Sequence, residues 1–212
     1  TFSDAHHLKL AGFILFSDPP KHGVKIALEH FAKLGVKLKI ITGDNEFVTK
    51  KVCREIGIQC DHIITGPELS RMTDQELISV VWATDVFARM TPDKKLRVIR
   101  ALRHGNHTVG YIGDGINDAP ALHEADAAIT VNNAVDVAKD TATIVLMNKS
   151  LNVIVEGVRE GRRTFVNTLK YILMGTSSNF GNMFSMAAAS FFLPFLPMTP
   201  SQILLTNALY DG

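Results

Sequence analysis

An α/β fold, a parallel sheet with helices on both faces followed by a helical hairpin, is the architecture that three features of the sequence predict. Short apolar runs without polar alternation recur between amphipathic segments, the pattern of strands buried on both faces. Polar clusters stand directly after three of these runs, at Thr42-Gly43-Asp44, from Arg89 to Lys95 and from Asp114 to Asp118. Such sheets gather ligands at the carboxyl ends of their strands. The third feature is charge: all 22 Lys and Arg residues lie at or before Lys170, and no charged residue occurs from Tyr171 to Tyr210.

Taken in order, residues 8–16 form a near-continuous apolar run that reads as the first strand, closed by the turn Asp18-Pro19-Pro20. An amphipathic helix carrying Val24, Ile26, Ala27, Leu28 and Phe31 follows. Residues 36–41 read as a strand running into Thr42, and residues 47–56 as the next helix. A short strand at 62–64, a helix near 75–81 and a strand at 86–88 come next. The helix at 92–104 opens on Pro92, whose missing N–H has no helical partner to lose in the first turn. A strand at 109–112, a helix after Gly115 and short strands at 127–131 and 143–146 complete the α/β part.

At 212 residues the chain has room for one or two domains. The division expected is 1–150 for the α/β part and 151–212 for a long helix with the hairpin. A net charge of +1 speaks against nucleic acid as a partner. The uncharged run is too long for one membrane span of about 20 residues and about right for two. Pro194, Pro197 and Pro200 break it, placing the turn near residues 193–201. Arg162, Arg163 and Lys170 flank the first span, which puts residues 1–170 on the cytoplasmic side of a lipid bilayer. The competing reading is a buried pair of core helices. Cys53 and Cys60 show no CxxC spacing and read as ordinary reduced thiols. Both ends of the chain look cut, at Thr1 and at Asp211-Gly212, so a piece of a longer polypeptide is expected.

The string GDGINDAPAL at residues 113–122 is the most informative. It places Asp114 and Asp118 at the mouth of a strand-to-helix turn, and the glycines on either side of Asp114 let the backbone approach a ligand closely. Asn117 and Asp118 then open a helix whose amide end favours anions. Magnesium takes a few carboxylates, several waters and substrate phosphate, so the pattern suits a magnesium–phosphate site with Asp114 as ligand. Asp118 is expected to orient water or backbone behind it. The Thr42 hydroxyl and the Gly43 and Asp44 amides can receive phosphoryl oxygens, and Lys95 can neutralise a transferring phosphoryl group. Singly these signals are weak; their order at successive strand ends gives them weight.

The strings DPPK (18–21), TGDN (42–45), FARMTPDKK (87–95) and GDGINDAPAL resemble the phosphorylation domain of P-type cation-pumping ATPases. These belong to the Rossmann-like haloacid-dehalogenase-like superfamily. The resemblance continues through ADAAI (125–129) and EGRR (160–163) into SSNFGN (177–182) and LLTNALYDG (204–212), and so covers essentially the whole chain. The stretches EGRRTFVNTLKYI and SSNFGNMFSMAAASFFLPFLPM are most similar to the bacterial magnesium-transporting branch.

The resemblance implies an ATP-driven, membrane-embedded, multi-pass pump working through an aspartyl-phosphate, with Mg2+ and ATP as cofactors and a divalent cation as cargo. The nucleophile of such pumps lies in a DKTGT motif, which this chain does not contain; the chain alone is therefore expected to be inactive, its partners being the upstream and downstream parts of the same pump. The resemblance assigns Thr42, Gly43, Asp44, Arg89, Lys95 and Asn117 to phosphate or nucleotide, and Asp114 and Asp118 to the catalytic magnesium. It makes the helix beginning near Leu151 a stalk, and Asn179, Asn182, Asn207 and Asp211 ligands of the transported cation. Calcium pumps of the family carry an acidic residue where Asn182 stands and usually Thr where Tyr210 stands, which favours magnesium over calcium as cargo. The alternatives are a pump for calcium or another cation, a soluble haloacid-dehalogenase-like phosphatase, and a non-catalytic membrane anchor. The anchor has no use for Lys95 and Asp114.

Overall fold

The computed structural model describes Gly12 and residues 23–58, 60–105, 107–195 and 198–211, without the side chains of Asn207, Tyr210 and Asp211. The strand expected at 8–16, apart from Gly12, and the DPPK string lie outside the described residues. The chain divides into two compact units, Thr1–Val153 and Ile154–Gly212.

In the first unit, β1 (Ile40–Ile41), β2 (Ile63–Thr65) and β3 (Val86–Ala88) form one sheet in the order β1-β3-β2. A second sheet holds β4 (Gly110–Ile112), β5 (Ala127–Val131) and β6 (Ile144–Leu146) in the order β4-β5-β6. Every pair is parallel, with Ile41 opposite Phe87, Ile64 opposite Phe87, Ile112 opposite Ile129 and Thr130 opposite Val145. The sequence led us to expect one sheet; among the described residues there are two of three strands each. Helices cover both faces. The central strand β3 is buried at all three positions, which is why its sequence shows no polar alternation.

Local chemistry sets the helix starts. In α2 (Glu46–Ile56) the Asn45 side chain accepts hydrogen bonds from the Phe47 and Val48 N–H groups, and the helix ends on Gly57 in the left-handed region at φ 79°. The short α3 (Gly66–Leu69) and α4 (Asp74–Val80) each start with a capping box, Thr65 with Glu68 and Thr73 with Glu76. In α5 (Pro92–Arg103) Pro92 occupies the first turn, as expected. After Gly115 comes a 3-10 turn, Ile116–Asp118, and then α6 (Ala119–Glu124). The sequence reading missed α3 and α7 (Asp136–Thr141), both too short for apolar periodicity to show. Helices α3 to α7 enclose a core in which Leu69, Leu77, Phe87, Val98, Ile99 and Leu122 are fully buried, and α1 (Val24–Lys33) buries Ala27 and Phe31. Each such side chain contributes about 1.5–3 kcal/mol of transfer free energy. Arg97 ties α5 to the α3–α4 turn by donating to the Leu69 and Met72 carbonyls and to Asp74.

One expectation is corrected here. Cys53 and Cys60 are joined as a disulfide, with Cα atoms 6.5 Å apart. The left-handed turn at Gly57 reverses the chain after α2 and brings Cys60 back onto Cys53, a proximity that linear spacing does not reveal. The second unit contains most of α8 (Leu151–Phe192, 42 residues) and α9 (Pro200–Asp211, 12 residues), with a break at the described residues 193–195 and 198–199. The break falls where the prolines placed it, yet among the described residues no helix is both long and apolar enough to cross a membrane. Absence of charge is not the same as apolarity: Thr176, Ser177, Ser178, Asn179 and Asn182 dilute the end of α8.

Candidate functional site

Three loops meet at the carboxyl ends of β1, β3 and β4. The first follows β1. The Thr42 N–H donates to the Phe87 carbonyl and its carbonyl accepts from Met90, so Thr42 prolongs the β1–β3 ladder by one residue. Its hydroxyl donates to Asp44 Oδ2 at 3.0 Å and accepts from the Asp44 N–H at 3.1 Å. Thr42, Gly43 and Asp44 thus form a tight local turn, with Asn45 capping α2 immediately behind it.

The second loop leaves β3 at Arg89, which is the only described non-glycine residue at positive φ, 54°. Left-handed backbone at an arginine is uncommon and marks a residue held by its surroundings. Here the Arg89 N–H donates to the Asp44 carbonyl at 2.7 Å, locking the second loop to the first. Its Nε stands 2.8 Å from Glu46 Oε2, an ion pair the sequence reading did not foresee. On the other side, a Cβ at Gly66 would overlap the Arg89 carbonyl oxygen, so only glycine fits where α3 begins.

The third loop follows β4 and contains Asp114, Asn117 and Asp118. Lys95, in the first turn of α5, donates from Nζ to Asp118 Oδ1 at 2.7 Å. Both side chains are 13% exposed, so the pair is mostly withdrawn from solvent. Tyr111, inside β4, donates its phenol to the same Oδ1 at 2.7 Å, and the Gly115 N–H reaches Oδ2 at 3.3 Å. Burial by itself raises the Asp118 pKa, but the hydrogen bonds from Lys95 and Tyr111 and the Lys95 charge outweigh it and hold the carboxyl below its ordinary value. Burial, then the bond to Asp118 and the charges of Asp118 and Asp114, push the Tyr111 phenol well above its usual range, so it is a neutral donor. Gly113 makes this possible: a Cβ there would stand 2.5 Å from Asp118 Cβ and 3.0 Å from Tyr111 Cε1. Its carbonyl is held from below by the buried Thr130 hydroxyl at 2.7 Å.

Asp114 and Asn117 are exposed at the rim. The Asp114 carbonyl accepts from the Val135 N–H at 3.1 Å, and its carboxylate makes no hydrogen bond or ion pair among the described residues. The two carboxylates are therefore not equivalent. Asp118 spends both oxygens on protein donors, whereas Asp114 is available to a cation, and no cluster of three or more acidic, His or Cys side chains that could hold a metal occurs among the described residues. One available carboxylate beside the loops expected to receive phosphate still fits magnesium, which keeps several waters and takes substrate oxygens.

Of the residues assigned to phosphate and metal, the structure brings Thr42, Gly43, Asp44 and Arg89 together by backbone bonds, and Lys95 with Asp118 by an ion pair. Tyr111, Glu46 and Thr130 were missed. A polar hydroxyl two residues before Gly113 in an apolar strand was the available signal for Tyr111; nothing local announced Glu46. The four residues assigned to a transported cation lie in the other unit: Asn179 is exposed and Asn182 half-buried on α8, while Asn207 and Asp211 are on α9 with side chains outside the described ones.

Residues 2–126 match the family of haloacid dehalogenase-like hydrolases. The chain is 50% identical over 209 residues to a magnesium-transporting ATPase, P-type 1, of Escherichia coli (strain K12), an alignment covering 99% of this chain and 23% of that protein. It is 35% identical over 215 residues to a calcium-transporting ATPase 1 of Bacillus cereus, covering 98% of this chain and 24% of the relative. The chain thus spans about a quarter of the length of these relatives. Among solved structures, the catalytic domain of the CPx-ATPase CopB-B, studied for its conformational changes upon nucleotide binding, is similar with a TM-score of 0.52 and 28% identity, over 67% of this chain and 46% of that one.

Proposed function

The chain belongs to the haloacid dehalogenase-like hydrolases, and from that premise we propose that it is the part of an ATP-driven P-type cation pump that completes the phosphorylation site and leads into the membrane. The observation that carries this reading is the Lys95–Asp118 contact, which joins the loops after β3 and β4 and leaves Asp114 open beside them. Lys95 retains two ammonium protons for phosphoryl oxygens after donating one to Asp118. The Thr42 turn and the Arg89 backbone bond set the opposite wall, where nucleotide phosphate is received. Asp114 would hold magnesium, which when bound supplies charge neutralisation for the transferring group. The attacking carboxylate belongs to a DKTGT segment outside this chain, so Thr42, Lys95 and Asp114 position and neutralise rather than attack. Arg89, fixed by Glu46, and Asn117 face the nucleotide.

Magnesium is the cargo that the similarity supports, at 50% identity against 35% for the calcium-transporting relative. In the whole pump the uncharged end of α8 and α9 lie in the bilayer, with Arg162, Arg163 and Lys170 at its cytoplasmic face. Their Asn, Ser and Thr residues pack against further helices of the pump, which is how spans of modest hydropathy are accommodated. The test is made on the full-length pump in membranes. Phosphoenzyme that forms from ATP and magnesium, is stable to acid and is labile to hydroxylamine is the expected result, together with magnesium uptake by cells. Failure to form it with Asp114 and Lys95 intact overturns the proposal.

A further inference from the structure

We propose that Tyr111 is a positioning residue for phosphoryl transfer, its phenol pinning Asp118 Oδ1 and, through Asp118, aiming the Lys95 ammonium at the transferring group. The inference rests on the phosphoryl-transfer reading of this site and adds a residue to it. A carboxylate on a single Cβ–Cγ bond is free to rotate unless its oxygens are held. Asp118 is held by three donors of different kinds. Lys95 reaches Oδ1 on a flexible four-carbon stem, and the Gly115 N–H reaches Oδ2 from the loop itself at 3.3 Å.

Tyr111 alone donates from within a strand. It is 7% exposed, its backbone is paired with Ala128 of β5, and its phenol meets Oδ1 at 2.7 Å. The ring edge lies beside Gly113, at a position where any side chain would displace either Tyr111 or Asp118. Tyr111 therefore gives Asp118 a reference point in the sheet, and Lys95 takes its position from Asp118. Without the phenol, Oδ1 accepts from Lys95 alone and the carboxylate follows the lysine rather than directing it.

A purely structural role, a buried hydroxyl satisfied by a nearby acceptor, makes a different forecast, and the full-length pump separates the two. Tyr111→Phe keeps the ring and removes only the donor. Its phosphoenzyme formation rate is expected to fall about tenfold, the scale of one hydrogen bond to a charged group, with the KM for ATP changed less than about twofold. Inhibition by orthovanadate is expected to weaken in parallel. In a Lys95→Arg background, where the ammonium is already lost, Tyr111→Phe is expected to cause no further fall. Replacement of Tyr111 by 4-aminophenylalanine, which restores a donor at the same reach, is expected to recover most of the rate. Unchanged rate and vanadate inhibition in Tyr111→Phe overturn the proposal. So do additive losses in the double variant, or a lowered melting temperature with a normal rate per folded molecule. An unmodified pump that forms no phosphoenzyme overturns the functional reading instead, which is a separate outcome.

Discussion

Lys95 and Asp118 stand 23 residues apart in the chain and 2.7 Å apart in space, and their contact is what turns two loops on different sheets into one site. It also separates the roles of the two aspartates in GDGIND. Asp118 is part of the scaffold, and Asp114 is offered outward.

That difference predicts opposite phenotypes. Asp118→Ala leaves the mostly buried Lys95 ammonium unpaired, and breaking such a pair costs about 3 kcal/mol or more of stability. Asp114→Ala removes an exposed carboxylate and is expected to shift stability by less than about 0.5 kcal/mol. In the full-length pump, however, Asp114→Ala is expected to reduce phosphoenzyme formation about 10²- to 10³-fold while leaving the protein in the membrane. Thermal melts and labelled-ATP phosphorylation of the two variants check this; equal melting losses would remove the distinction.

Gly66 and Gly113 predict steric effects without any change of charge. A methyl group at Gly66 meets the Arg89 carbonyl oxygen, and one at Gly113 meets Asp118 Cβ at 2.5 Å. Neither obstacle is the free end of a flexible side chain, so the loops must shift. Gly66→Ala and Gly113→Ala are each expected to cost about 1–3 kcal/mol, whereas Gly157→Ala, where nothing lies within 4 Å, is expected to be neutral or stabilising. Denaturant melts of the three variants test the ranking.

The acid limb of stability follows from the helix starts. The Thr65 and Thr73 N–H groups donate to Glu68 and Glu76 at 2.7 Å, and these backbone bonds, with the threonine hydroxyls, hold both carboxyls below the ordinary glutamate value. Arg100, through its hydrogen bond, does the same for Glu124. A folded-state pKa below the unfolded one means that the unfolded chain binds protons first as pH falls. The stability these groups contribute is present above about pH 4.3 and is lost as pH drops through their folded values. The melting temperature is expected to hold from neutral pH to about pH 5 and to fall below about pH 4. A double Glu68→Gln, Glu76→Gln variant should show a shallower acid limb; an unchanged limb would assign it to other groups.

Much of this architecture was legible because different rules agreed. The strand at 86–88 was read with its observed bounds because it is buried throughout and bounded by polar turns, and α5 because Pro92 marks its start. Both capping boxes are written in the sequence as Thr-x-x-Glu, yet only α4 also carried enough length to be read as a helix. The Cys53–Cys60 bond, the Arg89–Glu46 pair and the Tyr111–Asp118 contact were not legible. Each depends on how a turn or a strand register brings distant side chains together, which no local pattern encodes. The membrane reading rests on absence of charge alone, and the Asn, Ser and Thr residues at the end of α8 keep its hydropathy below that of a typical span.

The chain by itself predicts a negative result. In the proposed function Thr42, Lys95 and Asp114 position and neutralise a phosphoryl group, but no DKTGT nucleophile is present in this sequence to accept it. Incubation of the 212-residue chain with labelled ATP and magnesium is expected to yield no acid-stable phosphoprotein and no turnover. Label retained through acid precipitation would show that another carboxylate of this chain is being phosphorylated.

The cargo prediction rests on the far end of the chain. Asp211 is the only charged residue after Lys170, and it lies four residues from Asn207 on α9, hence on the same helical face. Asn179 and Asn182, three apart on α8, share a face in the same way. Amide carbonyl oxygens with a single carboxylate can replace part of a hydration shell without the multiply acidic cage that calcium favours. Magnesium dehydrates reluctantly and keeps several waters, so such a site suits it. Asp211→Asn in the intact pump removes the one formal charge and is expected to abolish magnesium uptake while ATP binding survives. Asn182→Asp, which adds a charge, is expected to shift ion preference toward calcium. Growth of magnesium-starved cells decides between outcomes: full rescue by Asp211→Asn would remove Asp211 from the ion path, and rescue of calcium rather than magnesium handling by the unmodified pump would reassign the cargo.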